Sequence, residues 1–298
     1  MEQVRCTLCG SEKVTRLFSR IRNDEQGEYT MYRCACCETH FLYPRPNQEQ
    51  LEDYYNGTFR EEVHTKQYYE LKTLQGVYNR FMPEAKQRVE RVKAQLEKTD
   101  IVLEVGCSVG YFLDAIADQV QMVYGTEWDQ KAQQFIRDCA QHSNIQVGSN
   151  PEEFNLQFDK IFLFHVLEHI QDPVVFLQNL KKVLRPGGKI YIEVPNVDDA
   201  MVKTYDCEEF KNFYYKKAHL YNFNEVGLSY VFQQAGYQYR VDYIQRYDLS
   251  NHLYWLGKRI PGGKGYYSDL LGEKVNQDYV EALVKKKQTD TLFATIWE

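Results

Sequence analysis

The chain has 298 residues, room for one large domain or two smaller ones, and its 43% hydrophobic and 26% charged residues are the balance of a folded globular protein. No run approaches the roughly eighteen apolar residues of a helical membrane span. A net charge of −6 argues against a broad nucleic-acid-binding surface, leaving room only for a local basic patch. The first ten residues, MEQVRCTLCG, contain no apolar signal core, so the expected location is the cytoplasm.

Five of the eight cysteines fall within the first 37 residues. Cys6-Thr-Leu-Cys9 and Cys34-Ala-Cys36-Cys37 are two C-x2-C knuckles with 24 residues between them. Each knuckle can turn two thiolates toward one point. Cys6, Cys9, Cys34 and Cys37 together make a closed zinc site, structural because no ligand position stays open. Cys36 could replace either neighbour. Disulfides are the competing reading, and they suit an oxidising compartment that the missing signal core speaks against. So short a segment buries little core, so a metal would supply much of its folding energy. Residues 1–46 are therefore expected to form a zinc-binding domain, with His40 at its exit before Pro44-Arg-Pro46. Residues 47–98 read as a helical connector, through Leu51, Tyr54 and Tyr55 and later Val89, Val92 and Leu96. Pro83 is expected to open a new helix there, with Met82 held out of the helical region.

From Asp100 strands alternate with helices, the signature of a parallel α/β sheet. Strands are expected over 101–105, 123–127, 144–147, 158–164 and 189–194, the last entered through Gly187-Gly188. Helices are expected over 111–118, 130–141, 173–184 and 224–235. Gly106-Cys-Ser-Val-Gly110 follows the first strand, and Glu127 ends the second, twenty-one residues after Gly106. A glycine turn lets a ligand approach the backbone, and a carboxylate so placed can accept both hydroxyls of a ribose. The middle glycine of a G-x-G-x-x-G turn is missing, which makes a dinucleotide the weaker candidate.

His165-Val-Leu-Glu168-His169 fits the H-x-x-E-H pattern of inverted zinc proteases, which needs both histidines on one helix face. The apolar run before it reads as a buried strand instead. His165 then lies at the C-terminal end of the fourth strand, where ligands bind in open α/β sheets, and is a candidate general base. His169 reads as a helix-start histidine bonded to backbone.

Glu104-Val-Gly106-Cys-Ser-Val-Gly110, Glu127, Phe158-Asp159, His165-Val-Leu-Glu168-His169, Asp172-Pro173, Leu184-Arg-Pro-Gly-Gly188 and Ile192-Glu-Val-Pro195-Asn196 follow one another over about residues 100–196. In that order they resemble a class I S-adenosylmethionine-dependent methyltransferase. The cysteine knuckles with Tyr43-Pro-Arg-Pro46, and His219-Leu-Tyr-Asn-Phe223, resemble zinc-bearing sugar methyltransferases of bacterial deoxysugar and polysaccharide pathways. The resemblance implies a Rossmann-like α/β sheet, mostly parallel, with the strand at 292–297 as its antiparallel last member, joined to an N-terminal zinc ribbon. Residues 99–298 would be the methyltransferase domain, with insertions at about 197–220 and 245–291.

The same resemblance implies roles. Gly106, Cys107 and Gly110 would form the loop under the methionine part of S-adenosylmethionine, and Glu104 would hold its amino end. Glu127 would take the ribose, and Phe164 and His165 would line the donor methyl. Cys107 and Ser108 stand where such proteins often carry glycine or alanine. His165 and His219 are the candidate bases, followed by Tyr221 and Glu225. Some quinone O-methyltransferases have a similar E-x-x-E-H that binds a divalent metal, which makes His165, Glu168 and His169 a candidate second metal site. The implied acceptor is a small molecule, a nucleotide-linked sugar methylated on oxygen or carbon. An RNA or protein methyltransferase with the ribbon as reader is the alternative, and a cofactor-binding protein without turnover is another. Tyr205, Phe213, Tyr214, Tyr215, Lys216 and Lys217 would suit a sugar and a phosphate. Pro261-Gly-Gly-Lys-Gly265 is a basic turn whose N–H groups could meet a phosphate.

Overall fold

The structure, a computed structural model, describes residues 3–18, 20–24, 26–47, 50 and 73–298. The expected helical reading of Leu51, Tyr54 and Tyr55 lies outside the described residues. Near the N-terminus β1 (Val14–Phe18), β2 (Thr30–Cys34) and β3 (His40–Tyr43) form an antiparallel meander. Met31 and Cys34 of β2 are buried, and Arg33 is exposed. A distant two-residue strand, Tyr221–Asn222 (β9), completes this sheet by pairing antiparallel with β3.

Helix α1 (Leu74–Val92) starts at Thr73, whose hydroxyl accepts from the Gly76 N–H at 3.0 Å. It runs unbroken through Pro83, contrary to the new helix expected there. The apolar stripe explains the difference. Val77, Tyr78, Ala85, Val89 and Val92 bury one continuous face on both sides of Pro83, and that packing outweighs the one hydrogen bond a proline removes.

The second sheet takes its strands from β4 (Ile101–Val105), β5 (Met122–Thr126), β6 (Ile145–Gly148), β7 (Phe158–Phe164), β8 (Leu184–Pro195), β10 (Gln238–Ile244) and β11 (Thr291–Trp297). The order is β10-β11-β8-β7-β4-β5-β6. β4 pairs parallel with β5 and β7, and β5 with β6. β11 runs the other way: Asn196, just past the end of β8, donates from N–H to the carbonyl of Asp290, just before β11 begins. The connecting helices are α2 (Tyr111–Ala117), α3 (Gln130–Cys139), α4 (Pro173–Leu180), α5 (Ala200–Lys203), α6 (Glu208–Tyr214) and α7 (Glu225–Ala235). α8 (Leu249–Lys258) and α9 (Ser268–Lys285) stand between β10 and β11. Strand β8 begins five residues before the expected start, at Leu184 rather than 189. Arg185 holds that stretch against the sheet through two hydrogen bonds, 2.9 and 2.7 Å, to the Asp159 carboxylate at the head of β7.

The chain divides into two compact units. One comprises residues 1–45, 165–177 and 192–296, the other 46–164, 178–191 and 297–298. In the first unit, α7 lies against the second cysteine knuckle. Asn224 caps it by accepting from Gly227 N–H at 2.9 Å and donates to Glu38 at 3.2 Å. A Cβ at Gly227 would stand 2.3 Å from the buried Thr39 hydroxyl. Gly227→Ala is therefore expected to destabilise the protein by about 1–3 kcal/mol in urea unfolding, with Thr39→Gly in the same chain restoring part of the loss. Full stability of the single variant would contradict this packing.

Candidate functional site

In the unit containing residues 46–164, β4 delivers Glu104 inward and ends at Gly106. Gly106 (φ +74°), Ser108 (φ +51°) and Gly110 (φ +78°) are left-handed, and Gly110 opens α2. The turn is tied to the next strand, for Gly106 and Cys107 both donate from N–H to the Thr126 carbonyl at 2.9 Å. A Cβ at Gly125 would lie 2.7 Å from the Cys107 sulfur, so that glycine is what seats the thiol in the core. Glu127 is held by backbone: one oxygen accepts from Ser108 N–H at 2.9 Å, the other from Trp128 and Asp129 at 2.8 and 3.0 Å. Trp128 beside it is half exposed, at 51%.

Glu104 is buried, and one of its oxygens has no hydrogen-bond partner. Burial pushes its carboxyl up to about 8, against the pull of Arg88 and with Glu127 adding to the rise. Arg88 comes from the buried stripe of α1, pairs with Glu84 at 2.9 Å and lies over the Phe164 ring at 4.4 Å. It also hydrogen-bonds Tyr111. Sequence reasoning missed Arg88. The signal was there, a charged residue in step with Ala85, Val89 and Val92 on the apolar face.

In the other unit, His165 follows β7 with a left-handed backbone (φ +56°), its N–H donating to the Glu193 carbonyl at 2.8 Å. Its Nδ1 meets Glu168 Oε1 at 3.2 Å, and its Nε2 faces Arg246 Nη1 at 2.9 Å and Glu193 Oε1 at 3.2 Å. A neutral ring accepts from the arginine, and a charged ring donates to Glu193. Burial and Arg246 oppose the charged form, yet Glu168 and Glu193 outweigh them and raise the pKa above 6.5. His219 Nε2 approaches Glu168 Oε1 at 3.9 Å, and its Nδ1 is buried without a partner. Burial, then Lys216 and His169, push His219 well below the ordinary histidine value. Glu193, between Ile192 and Val194 in β8, and Arg246, two residues past β10, were given no role by the sequence.

Other expectations are revised. His169 gives Nδ1 to the Ala218 carbonyl at 2.7 Å, and the ligand atoms that converge are those of Glu168, His169 and His219, within 4.8 Å of one another. His165 is not in that set, because Glu193 and Arg246 hold its outer nitrogen. The protease pattern fails as well: residues Leu167–His169 form a single 3-10 turn, not a helix that would carry both histidines on one face. Tyr221 is fully buried and its hydroxyl is bonded to the carbonyls of Gln171 and Thr7, at 3.1 and 3.4 Å, and to Arg45. Glu225 sits elsewhere, with Tyr243 at 2.6 Å and Lys287 at 2.5 Å. The 261–265 turn folds onto α8, where Asp248 takes the Gly265 N–H at 2.8 Å, so a carboxylate holds one of the N–H groups that could have met a phosphate.

The four cysteines Cys6, Cys9, Cys34 and Cys37 bring their sulfurs within 4.8 Å of one another, with pairs at 3.6 and 3.5 Å. A tetrahedral zinc with bonds of about 2.3 Å sets sulfurs roughly 3.8 Å apart, so the quartet fits. Cys36 is exposed and faces Ser11 Oγ at 3.2 Å, outside the quartet. His40 bonds the Tyr215 hydroxyl at 3.0 Å.

The strand order, the glycine turn and the reversed β11 define a class I S-adenosylmethionine-dependent methyltransferase fold. The chain belongs to a methyltransferase-domain family, whose model matches residues 78–240. It is 36% identical over 98 residues to a protein of Mycolicibacterium smegmatis named as a probable S-adenosylmethionine-dependent methyltransferase, covering 32% of this chain and 38% of that one. It is 26% identical over 152 residues to the ubiquinone biosynthesis O-methyltransferase of Coxiella burnetii, covering 49% and 57%. A tRNA U34 carboxymethyltransferase of Pseudoalteromonas atlantica is 32% identical over 116 residues, 35% of each chain. The chain thus spans 38 to 57% of the length of the first of these relatives. Among solved structures, a chain of the Haloferax volcanii complex between the Trm112 methyltransferase activator and a methyltransferase aligns with TM-score 0.52 and 14% identity, over 74% of this chain and 93% of that one. The DhpI–SAM–HEP complex aligns with TM-score 0.50 and 14% identity, over 85% and 100%. At such identities the likeness is one of fold.

Glu104 offers a pH test. A carboxyl whose folded pKa, about 8, exceeds its ordinary value of 4.5 binds protons on folding, so stability falls as pH rises through that window. Glu104→Gln is expected to remove this fall, narrowing the Tm difference between about pH 5 and pH 8 by several degrees. An unchanged difference would show that Glu104 is not the buried acid described.

Proposed function

We propose that this protein transfers the methyl group of S-adenosylmethionine to a small hydroxylated acceptor, a nucleotide-linked sugar, with zinc holding its N-terminal cysteine segment. The observation that carries the reading is the buried Glu104, one oxygen unpartnered, under the left-handed Gly106–Gly110 turn and one strand from Glu127. An ammonium group would satisfy that oxygen, and S-adenosylmethionine carries one. Arg88 supplies a positive charge for the carboxylate of the same amino-acid end, and Glu127 would accept the ribose hydroxyls. Phe164, with Arg88 on its face, would line the methyl group, and His165 is the next residue in the chain.

When bound, S-adenosylmethionine supplies an electrophilic methyl on sulfonium. The protein's work is then to orient the acceptor and remove its proton. His165 is the base: its Nδ1–H is fixed by Glu168, and its Nε2, which accepts from Arg246 in the neutral ring, takes the proton when that contact gives way, after which Glu193 accepts from the imidazolium. His219 stands across Glu168 as the second polar group toward the acceptor. Because the His165 pKa is raised, turnover should increase with pH through a midpoint above the ordinary histidine value. A nucleic-acid acceptor is the second reading, favoured by the tRNA-modifying relative. It predicts steeply salt-dependent RNA binding.

Calorimetry with S-adenosylmethionine and S-adenosylhomocysteine tests the cofactor. Binding is expected to drop at least tenfold in Glu127→Ala. His165→Ala should keep cofactor affinity and lose turnover about 10²–10⁴-fold, and His219→Ala should lose less. Full turnover in His165→Ala would remove it as the base. Metal analysis should return about one zinc per chain, lowered together with Tm in Cys9→Ser.

A further inference from the structure

His219 belongs to no helix or strand, and its place is set by the N-terminal sheet. Strand β3 takes β9 as an edge partner, with His40 opposite Asn222 and Phe41 opposite Tyr221. Leu42 N–H donates to the Leu220 carbonyl at 2.9 Å. On the other side of His219, Arg22 N–H donates to the Tyr215 carbonyl at 2.8 Å, and Lys217 N–H donates to the Arg22 carbonyl at 3.0 Å. The His40 ring bonds the Tyr215 hydroxyl, and beyond β9 Asn224 donates to Glu38 at 3.2 Å. His219 is therefore held from both sides by residues 22–42. A strand of two residues has no stability of its own, so this segment is ordered only where β3 is.

A second tie reaches the cysteines themselves. Tyr221 is fully buried, and its hydroxyl faces the carbonyls of Thr7 at 3.4 Å and Gln171 at 3.1 Å while accepting from Arg45. Thr7 stands inside the Cys6–Cys9 knuckle, and Gln171 follows the turn that bears Glu168 and His169. One phenol thus joins the first knuckle to both histidine-bearing segments. The second knuckle runs directly into β3, with Cys34 N–H donating to the Thr39 carbonyl at 3.1 Å. The arrangement so held is close: His219 Nε2 stands 3.9 Å from Glu168, and its ring 4.9 Å from that of His169, edge to face. Residues 1–45 are too few to order themselves through an apolar core, so a metal on the quartet is what would fix both knuckles.

We propose that zinc held by Cys6, Cys9, Cys34 and Cys37 is the template for the acceptor side of the site, with Tyr221 as the positioning residue that carries its order to His219 and Glu168. The inference rests on the methyl-transfer reading only for calling this side the acceptor's. The bonds that hold it all lie within residues 1–45, 165–177 and 192–296, whereas the Gly106–Gly110 turn and Glu127 belong to the other compact unit. Zinc-free protein therefore keeps its cofactor turn and loses the arrangement of His219 against Glu168.

The test follows backbone hydrogen exchange and histidine-ring NMR in the full chain, with and without its metal. Stripping zinc with a chelator, verified by metal analysis, should speed exchange over residues 215–224 by about tenfold or more, with 101–127 unchanged. S-adenosylmethionine affinity, measured by calorimetry, should stay the same, and adding zinc back should restore the protection. Tyr221→Phe should keep its zinc yet move the ring signal of His219, assigned with His219→Gln. The signal of His142, in the other unit, should not move. Wild type without zinc, or protection of 215–224 that survives zinc removal, overturns the proposal. So does exchange at 101–127 that rises in step, since zinc would then hold the whole fold. An unmoved His219 signal in Tyr221→Phe removes Tyr221 as the link. Absent S-adenosylmethionine binding with the exchange pattern intact would instead defeat the methyl-transfer reading.

Discussion

Glu104, Glu168 and Glu193 are each at most 3% exposed, and carboxylates so far from water must be neutralised by protons or by cations brought to them. Each unit meets that demand in its own way. Glu104 is met by a raised pKa and by Arg88, which the buried face of α1 carries to it. Glu168 and Glu193 are both met by one histidine, His165, whose Nδ1 faces the first and whose Nε2 faces the second, each at 3.2 Å. Arg246 approaches Glu193 at 3.9 Å and Asp290 at 3.6 Å, so the same arginine serves two acids and still touches His165.

The two solutions differ in what they leave over. At Glu104 one oxygen stays unpartnered and the acid is driven toward its neutral form, and a cationic ligand group would replace that proton as the counter-charge. Around Glu168 two polar atoms of opposite kind are left over: an unpartnered carboxylate oxygen and an unpartnered nitrogen of His219. The first arrangement suits an amino acid's ammonium end. The second offers an acceptor and a ring nitrogen to a neutral polar group.

What was legible in the sequence was local. The glycine turn and Glu127 are fixed by strand–turn–helix geometry over some twenty residues, and the cysteine knuckles by the reach of C-x2-C. The parallel strands announced themselves as apolar runs, because both their faces are covered. What stayed hidden depended on partners far along the chain. Nothing near His169 indicates that its Nδ1 bonds the carbonyl of Ala218, or that His165 meets Arg246. Pro83 misled because a local rule about proline was weighed without the apolar stripe that spans it. The 261–265 turn misled in the same way: its N–H groups looked available until Asp248, on the helix before it, proved to hold one.

For the base proposed above, charge rather than distance favours His165 over His219. His219 is surrounded by Lys216, His169, His165 and Arg22, so an added proton on it would join four positive or proton-accepting neighbours in a buried place. It stays neutral, but it is a poor acceptor of protons. His165 is flanked by two buried carboxylates, and a proton placed on its ring lowers the electrostatic cost of both. Arg246 moderates this: by donating to Nε2 it favours the neutral ring, and it keeps Glu168 and Glu193 from holding His165 permanently protonated. A base needs that balance, with a pKa high enough to take a proton and an opposing charge that returns the ring to its neutral form. His165 has both, and His219 is better suited to shape the acceptor's hydrogen bonds than to remove its proton.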